Sequence, residues 1–382
     1  MKNNSNSQVN SVQNTDNQVV KYSLNDINSI RVTRANEYKA MNPVIKIGGA
    51  TFGVNGDISF VSGLPKAGKS TITRYMIATA LMKEKQENLD SIGIVSEYCK
   101  GKKIIYIDTE QNPIDTKKMI NSILDIAGLE TEPENFIALN LREFNHTENR
   151  EYLQSLFHYY NDAYLWIIDG VTDFLPSAND EVAGNEIIRY LMKMSSVNDT
   201  CIVCLIHENG GSSNGKMRGH IGSEAARKCQ GAISVSYEDD KKVHSIKSTY
   251  FRGSKKIDPI YWEFNDKGKP ISCDAEKIES IKKIGDDKNL SKKNDLIELL
   301  ENCYKNHKGQ GLPIDTLKNQ IGIYIKINPK NKGLKSDSIR TKRDRTFNDI
   351  NELRLLRTDN ENQNGTDRKV YYYDSSNLEI KF

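Results

Sequence analysis

The stretch "FVSGLPKAGKSTITRYM", Phe60 to Met76, decides how the rest of the chain is read. Gly63, Gly68, Lys69 and Ser70 fit the spacing G-x-x-x-x-G-K-[ST]. Glycines at this spacing let backbone N–H groups close around phosphates, Lys69 supplies a point charge, and the Ser70 hydroxyl suits Mg²⁺. The run Gly63, Leu64, Pro65, Lys66, Ala67, Gly68, Lys69, Ser70, Thr71 is therefore expected to wrap a nucleoside triphosphate, taken to be ATP. An apolar strand, "DISFVSG", leads in. A helix, "STITRYMIATALMKEKQ", leads out and turns its positive end toward the anion.

Outward from this loop, "KKIIYIDTE", "YLWIIDG" and "TCIVCLIHENGG" read as further strands, with "GAISVSYE" and "VHSIKSTYF" after them. Helical stretches such as "EVAGNEIIRYLMKMSSV" fall between the early ones. Strands alternating with helices predict an α/β fold with a mostly parallel sheet covered on both faces.

Three strand ends carry chemistry. Tyr106, Asp108 and Glu110 would share a strand face, with Glu110 last. A carboxylate there can orient a water for attack on the γ-phosphate; the plainer alternative is that these acids merely end a strand in solvent. Asp169 ends "YLWIIDG" and suits Mg²⁺, against the alternative of a turn aspartate, and Asp173 has little support as its helper. His207 ends "CLIH" and would hydrogen-bond the γ-phosphate or couple its loss to the next loop, unless it is an ordinary structural histidine.

Size and charge narrow the class. The 382 residues allow two or three domains, and 37% hydrophobic with 27% charged residues is the balance of a globular protein. A net charge of +3 gives no whole-chain case for nucleic acid, so any basic surface must be local. The six cysteines show no paired framework. Cys201 and Cys204 are three apart on an apolar strand, hence on opposite faces, and cannot share a metal. No apolar run is long enough to span a membrane and the amino-terminal stretch lacks a signal core, so a cytoplasmic location is expected.

Residues 1–20 are too polar to pack and are expected to form a disordered tail. Residues 21–42 follow as a linker helix opened by Ser23, with Leu24, Ile27, Ile30 and Tyr38 on one side. The nucleotide domain covers 43–275, and 276–290 is a charged linker or solvated helix. In 291–382, "KNDLIELLENCYKN", "LPIDTLKNQIG" and "KSDSIRTKRDRTFNDINELRLL" read as three helices. Two β-rich arms around an Asn-Gly turn come next, which is the order of a winged helix. From Asp287 onward there are 19 Lys and Arg against 14 Asp and Glu, a net +5 that exceeds the whole chain's charge. Lys335, Arg340, Lys342, Arg343 and Arg345 crowd the start of the third helix, the one a winged helix lays in the major groove of duplex DNA. Arg368 and Lys369, beside the hairpin turn, would be wing contacts to phosphate. A protein-interaction role for the same unit is the alternative.

The ordered set of glycine loop, Glu110, Asp169 and His207 resembles the RecA-like ATPases. Within them "IIDGVTDFL", "LIHENGG…RGHIGSEAARKCQGAISV" and "STYFRGSKKI" are similar to the plasmid replicative helicase RepA group. They are closer still to ATPases of mobilizable elements such as transposons. The likeness covers roughly residues 43–275. It implies nucleotide bound at the carboxyl ends of the strands, in the interface of a homo-oligomeric ring, hexamer-like, or a filament. It also implies that Glu110 is the hydrolytic glutamate, Asp169 the Mg²⁺ aspartate and His207 the γ-phosphate sensor. Arg252 would be a finger reaching the neighbouring subunit's phosphate, with Lys255 or Lys256 as substitutes. Many hexameric helicases carry a lysine two residues before that arginine; this chain has Tyr250. The loop at 208–224 would face a central channel and touch single-stranded DNA through Lys216, Arg218 and His220. The function this implies is an ATP-dependent DNA-binding motor, helicase-like, of a mobile genetic element. The alternative is an ATP-switched regulatory or loader protein that does not unwind DNA.

Overall fold

The computed structural model describes residues 23–84, 86–209, 215–253, 255–307, 310–363 and 366–373. The amino-terminal tail expected over 1–20 lies outside them. The chain divides into two units, residues 1–42 and 43–382.

In the first unit, Ser23 and Asp26 form a reciprocal capping box that starts α1 (Leu24–Ser29). The helix ends well before Tyr38, so that residue does not extend its apolar face. Leu24, Ile27 and Ile30 are exposed.

The second unit opens with strands β1 (Pro43–Ile47), β2 (Ala50–Val54) and β3 (Ile58–Gly63), followed by α2 (Lys69–Leu81) and β4 (Ile94–Ser96). Next come β5 (Ile104–Asp108), α3 (Pro113–Ala127), β6 (Phe136–Asn140), α4 (His146–Tyr159) and β7 (Leu165–Asp169). Then follow α5 (Glu181–Asn198), β8 (Cys201–His207), α6 (Gly219–Lys228) and β9 (Gly231–Glu238). Strands β10 (Val243–Phe251), β11 (Ile260–Phe264) and β12 (Pro270–Ser272) complete this half.

Among the described residues these strands make a nine-stranded sheet in the order β12-β11-β10-β9-β3-β8-β7-β5-β6. The six strands from β9 to β6 pair in parallel, and β10, β11 and β12 continue antiparallel. A mixed α/β fold with a large, mostly parallel central sheet is thus what the chain adopts, a form compatible with a RecA-like architecture. The antiparallel extension and the separate sheet β2-β1-β4 were not read from the sequence.

Alternation along each parallel strand divides the core in two. Val61, Tyr106, Ile167 and Val203 belong to the cluster that also takes residues of α2 and α3. Phe60, Ile105, Trp166 and Ile202 belong to the one that takes residues of α4, α5 and α6. Cys201 falls in the first and Cys204 in the second, as their spacing required.

After β12, Asp274 caps α7 (Ala275–Tyr304), a single helix of 30 residues, about 45 Å long. The charged segment 276–290 and the helix expected after it are one element. Its Lys, Glu and Leu residues are good helix formers, and its two ends are anchored in different cores. Ile281 packs with Val243, Tyr261 and Cys273 of the central sheet's antiparallel side, whereas Leu296, Leu299, Leu300 and Cys303 belong to the carboxy-terminal core. That core continues through β13 (Leu312–Pro313), α8 (Ile314–Ile327), α9 (Ser336–Glu352), β14 (Arg357–Gln363) and β15 (Thr366–Tyr372). Helix α8 runs past the expected end at Gly322 because Leu317, Ile321 and Ile325 form one buried stripe. Strand β15 pairs with both β14 and β13.

Candidate active site

Four neighbouring parallel strands, β3, β8, β7 and β5, deliver the sequence-predicted residues to one end of the sheet. The glycine loop leaves β3 at Gly63, where an added Cβ would meet the Val235 carbonyl at 2.5 Å. Lys66 and Gly68 take left-handed conformations, φ 63° and 105°, and Gly68 caps α2. Ala67 N–H donates to Leu64 O and closes the turn. Among the described residues, the N–H groups of Gly68, Lys69 and Ser70 have no carbonyl acceptor. This cluster of unspent donors at a helix start is what an anion requires.

Lys69 is buried. Its ammonium donates to Gly63 O (3.0 Å), to Leu64 O (3.2 Å) and to His207 Nδ1 (3.3 Å). An ammonium has no acceptor, so Nδ1 must accept, and Nε2 carries the ring proton toward Glu110 Oε1 at 3.1 Å. The three side chains form one chain of hydrogen bonds across the strand ends. Burial pushes the Lys69 amine below its ordinary value, against the pull of Glu110, Asp169 and Glu208. The His207 hydrogen bond holds the Glu110 carboxyl below its ordinary value, against its burial.

Asp169 is fully enclosed and its carboxyl is pushed up to about 7, by burial first and then by the charges of Glu110 and Asp108. Tyr106 Oη donates to it at 3.2 Å. Strand β5 stops at Asp108, and Glu110 is reached through a bend rather than along the strand face. Asp108 accepts from the N–H groups of Glu110 and Gln111 and from Thr116 Oγ1, which spends it on shaping that bend. Asp173 accepts from Thr109 Oγ1 at 2.7 Å.

Two features escaped the sequence reading. Glu208, next to His207, is buried between the hydroxyls of Ser62 and Ser234, both at 2.7 Å. Its carboxylate borders a cleft of about 670 Å³ beside the glycine loop, lined also by Lys66, Ala67, Tyr237 and Lys256. His244 on β10 reaches across to the Ala67 carbonyl at 2.9 Å. Only the run "VHSIKSTYF" hinted at that strand, and nothing local marked its contact with the loop.

Not every predicted residue joins this cluster. Arg252 follows β10, and Phe251 pairs with Gly231 at the start of β9. It therefore lies at the opposite end of the sheet, about 17 Å of strand away from the glycine loop. There it approaches Asp57 at 3.8 Å and donates to Lys228 O. The loop after His207 is pinned at its base: Glu208 bridges to Met217, and Arg218 N–H donates to His207 O at 2.8 Å. Lys216, Arg218 and His220 are exposed; residues 210–214 of that loop lie outside the described residues.

On the carboxy-terminal unit Lys335, Arg340, Lys342 and Arg345 are exposed. Lys342 donates to Asn331 Oδ1 and, with Arg345, lines a groove of about 770 Å³ shared with Lys292 of α7. Arg343 is half-buried and turned to Asp344 at 2.9 Å, so it does not share their surface. Lys369 is exposed, with its amine over the Tyr371 ring, and the Arg368 side chain lies outside the described residues.

Among the described residues no three His, Cys, Asp or Glu side chains converge on a metal site, and no helix is long and apolar enough to cross a membrane. Compared with known proteins, the sequence matches no family model and no curated relative.

Proposed function

We propose that this chain is a RecA-like ATPase carrying a winged-helix DNA-binding unit: an ATP-driven, helicase-like motor of a mobile genetic element, acting in its replication, excision or mobilization. One observation carries the reading. Lys69, His207 and Glu110 meet in a single hydrogen-bonded chain at the strand ends, beside the buried Asp169 and the unspent N–H groups of the glycine loop.

ATP is the substrate that fits this arrangement. The N–H groups of Gly68, Lys69 and Ser70 and the Lys69 ammonium would hold its phosphates. Glu110, kept ionised by His207, would orient the attacking water and accept its proton. His207 would lose or regain its Lys69 contact according to whether a γ-phosphate intervenes. Through the Arg218 N–H bond to its carbonyl, it would pass that difference to the loop bearing Lys216 and Arg218. The carboxyl of Asp169, raised by burial and by the charges of Glu110 and Asp108, would be relieved by a cation beside it, and Ser70 and Asp169 are the residues that would hold Mg²⁺. Bound Mg²⁺ would neutralise charge on the phosphate oxygens. Arg252, remote from its own glycine loop, would serve a neighbouring copy, which requires a homo-oligomeric ring or filament. Single-stranded DNA would meet the 208–224 loop, and duplex DNA the basic start of α9 with the β14–β15 hairpin.

Steady-state ATP hydrolysis with and without single-stranded DNA tests the reading, with Lys69→Ala and Glu110→Gln as controls. Stimulation by DNA that both changes abolish is the expected result. Slow turnover indifferent to DNA, with nucleotide-dependent assembly on duplex, would replace the motor by the ATP-switched loader. Failure to bind nucleotide would end both.

A further inference from the structure

We infer that His244 is a positioning residue of the phosphate cradle, holding the Ala67 carbonyl so that the Gly68 N–H faces the nucleotide. The inference rests on the nucleotide reading of residues 63–71 and adds to it a residue of β10, two strands away from β3.

A trans peptide is planar, and its C=O and N–H point in opposite directions. The Ala67–Gly68 peptide has its oxygen fixed by His244 Nδ1 at 2.9 Å. Its nitrogen, Gly68 N–H, has no acceptor among the described residues. A carbonyl can only accept, so Nδ1 is the protonated nitrogen of the ring. Pulling the oxygen toward β10 turns the N–H the other way, among the free donors at the start of α2. Without this hold, the peptide could rotate and present its oxygen to a phosphate.

The ring that makes this bond is immobilised. His244 stacks on Trp262, directly opposite it on β11, with centroids 4.1 Å apart and planes 12° from parallel. Tyr237, opposite it on β9, packs on it at 4.8 Å, and Phe264 meets it edge-on. Gly68 rests against the same stack: a Cβ there would meet Trp262 Cζ2 at 2.8 Å and His244 Nδ1 at 3.1 Å. The loop therefore lies on an aromatic ladder spanning three strands, with one nitrogen aimed at its backbone. Burial lowers the ring's affinity for a second proton, so at neutral pH it acts as a neutral donor.

The rival role is packing alone, and two substitutions separate the roles. His244→Phe keeps a ring on Trp262 but removes the donor; His244→Asn keeps an N–H near the Nδ1 position but removes the ring. Both are made in the full chain and measured by thermal melting and by equilibrium binding of a fluorescent ATP analogue with Mg²⁺. Wild type and Lys69→Ala serve as references. The expected result is crossed. His244→Phe melts near wild type but binds about 5- to 10-fold more weakly, the scale of one lost hydrogen bond. His244→Asn melts lower yet binds within about twofold of wild type. Wild-type affinity in His244→Phe, or equal losses in both variants, overturns the inference. If His244→Phe does not fold, His244→Asn against His244→Ala makes the same comparison of donor with no donor. If wild type binds no better than Lys69→Ala, it is the nucleotide reading that fails, and the inference falls with it.

Discussion

At the candidate active site Lys69 and Asp169 are buried and, with the half-buried His207 and the more open Glu110, tied to one another, whereas on α9 and β15 the charged groups stand at the surface. Lys69, His207 and Glu110 are joined by hydrogen bonds, and Asp169 feels the charges of Glu110 and Lys69. Lys335, Arg340 and Lys369 are exposed, and what they contribute does not depend on a shared network. In the first region a single change disturbs several groups at low dielectric. In the second, water and salt screen each charge, and only their sum has weight.

The largest effect expected is on Glu110. Glu110→Gln removes the proton acceptor but keeps a side chain within reach of His207, so turnover should fall by about 10²- to 10⁴-fold while ATP affinity changes little. Single-turnover hydrolysis alongside equilibrium binding checks this. A Glu110→Gln protein that hydrolyses like wild type would show that the cluster is structural, and the contrast between the two regions would lose its chemical half.

Next is Asp169, where function and stability should part. A folded-state carboxyl near 7, raised from an ordinary value of 3.8, binds its proton more tightly folded than unfolded. Its contribution to stability is therefore fully present below pH 3.8 and is lost as pH rises through about 7. Asp169→Asn keeps an acceptor for Tyr106 and removes the charge. At pH 8 the ligand-free variant should melt a few degrees higher, on the order of 1–3 kcal/mol, and at pH 5 it should gain less than half as much. ATP hydrolysis should be lost at either pH. A gain independent of pH would mean that the carboxyl is not titrating as described.

These cases show what could be read in advance. Strands β3, β5, β7 and β8 are buried on both faces, so their apolar runs stand out, and the residues ending them could be named from spacing alone. The strands β4 and β12 have three residues each, β11 and β12 mix polar and apolar residues, and β1 and β2, as long as β5 and β7, carry Lys46 and Gly53 within their apolar runs. β1 and β2 pair with each other across Gly48-Gly49, and β11 and β12 across a short turn, local signals that the sequence reading missed; β4 owes its strand to a distant partner, β1, which no local pattern contains. The same limit hid His244, whose value depends on its register against β9 and β11 and on the loop lying above. Alternation puts Asp108 and Glu110 on one face and singles out Glu110 only as the last of them; the bend between them, stabilised by Thr116 and two backbone N–H groups, was not legible. For α7, a charged composition suits both a solvated helix and a linker. The difference lay in Ile281 and Leu296 finding separate cores.

On the basic surface the expected effects are smaller and graded. Arg340→Ala and Lys335→Ala should each weaken duplex binding about threefold and flatten the slope of log affinity against log salt by about one unit. Melting temperature and DNA-free hydrolysis should stay at wild-type values. Arg343→Ala should do the reverse, costing stability through Asp344 while leaving the salt slope unchanged. Fluorescence anisotropy across a salt series distinguishes the two patterns. A steep loss from one residue would mean that this region, too, works as a network.

The smallest effect concerns the helix joining the two regions. Gly285 sits in α7 between Ile281, buried against the central sheet, and Lys288, which pairs with Asp240 at 2.6 Å. A Cβ at this position would find only the Lys241 amine, at 4.0 Å. Alanine avoids the conformational entropy that glycine loses in a helix, so Gly285→Ala should stabilise the protein by about 0.5–1 kcal/mol. Because the helix is held on both sides of the position, the change should leave DNA-stimulated turnover as it was. Chemical denaturation and the hydrolysis assay read the two quantities separately. Higher stability with lower stimulation would mean that α7 must bend at Gly285 for the basic unit to act on the buried site. The two regions would then be coupled through the helix rather than merely joined by it.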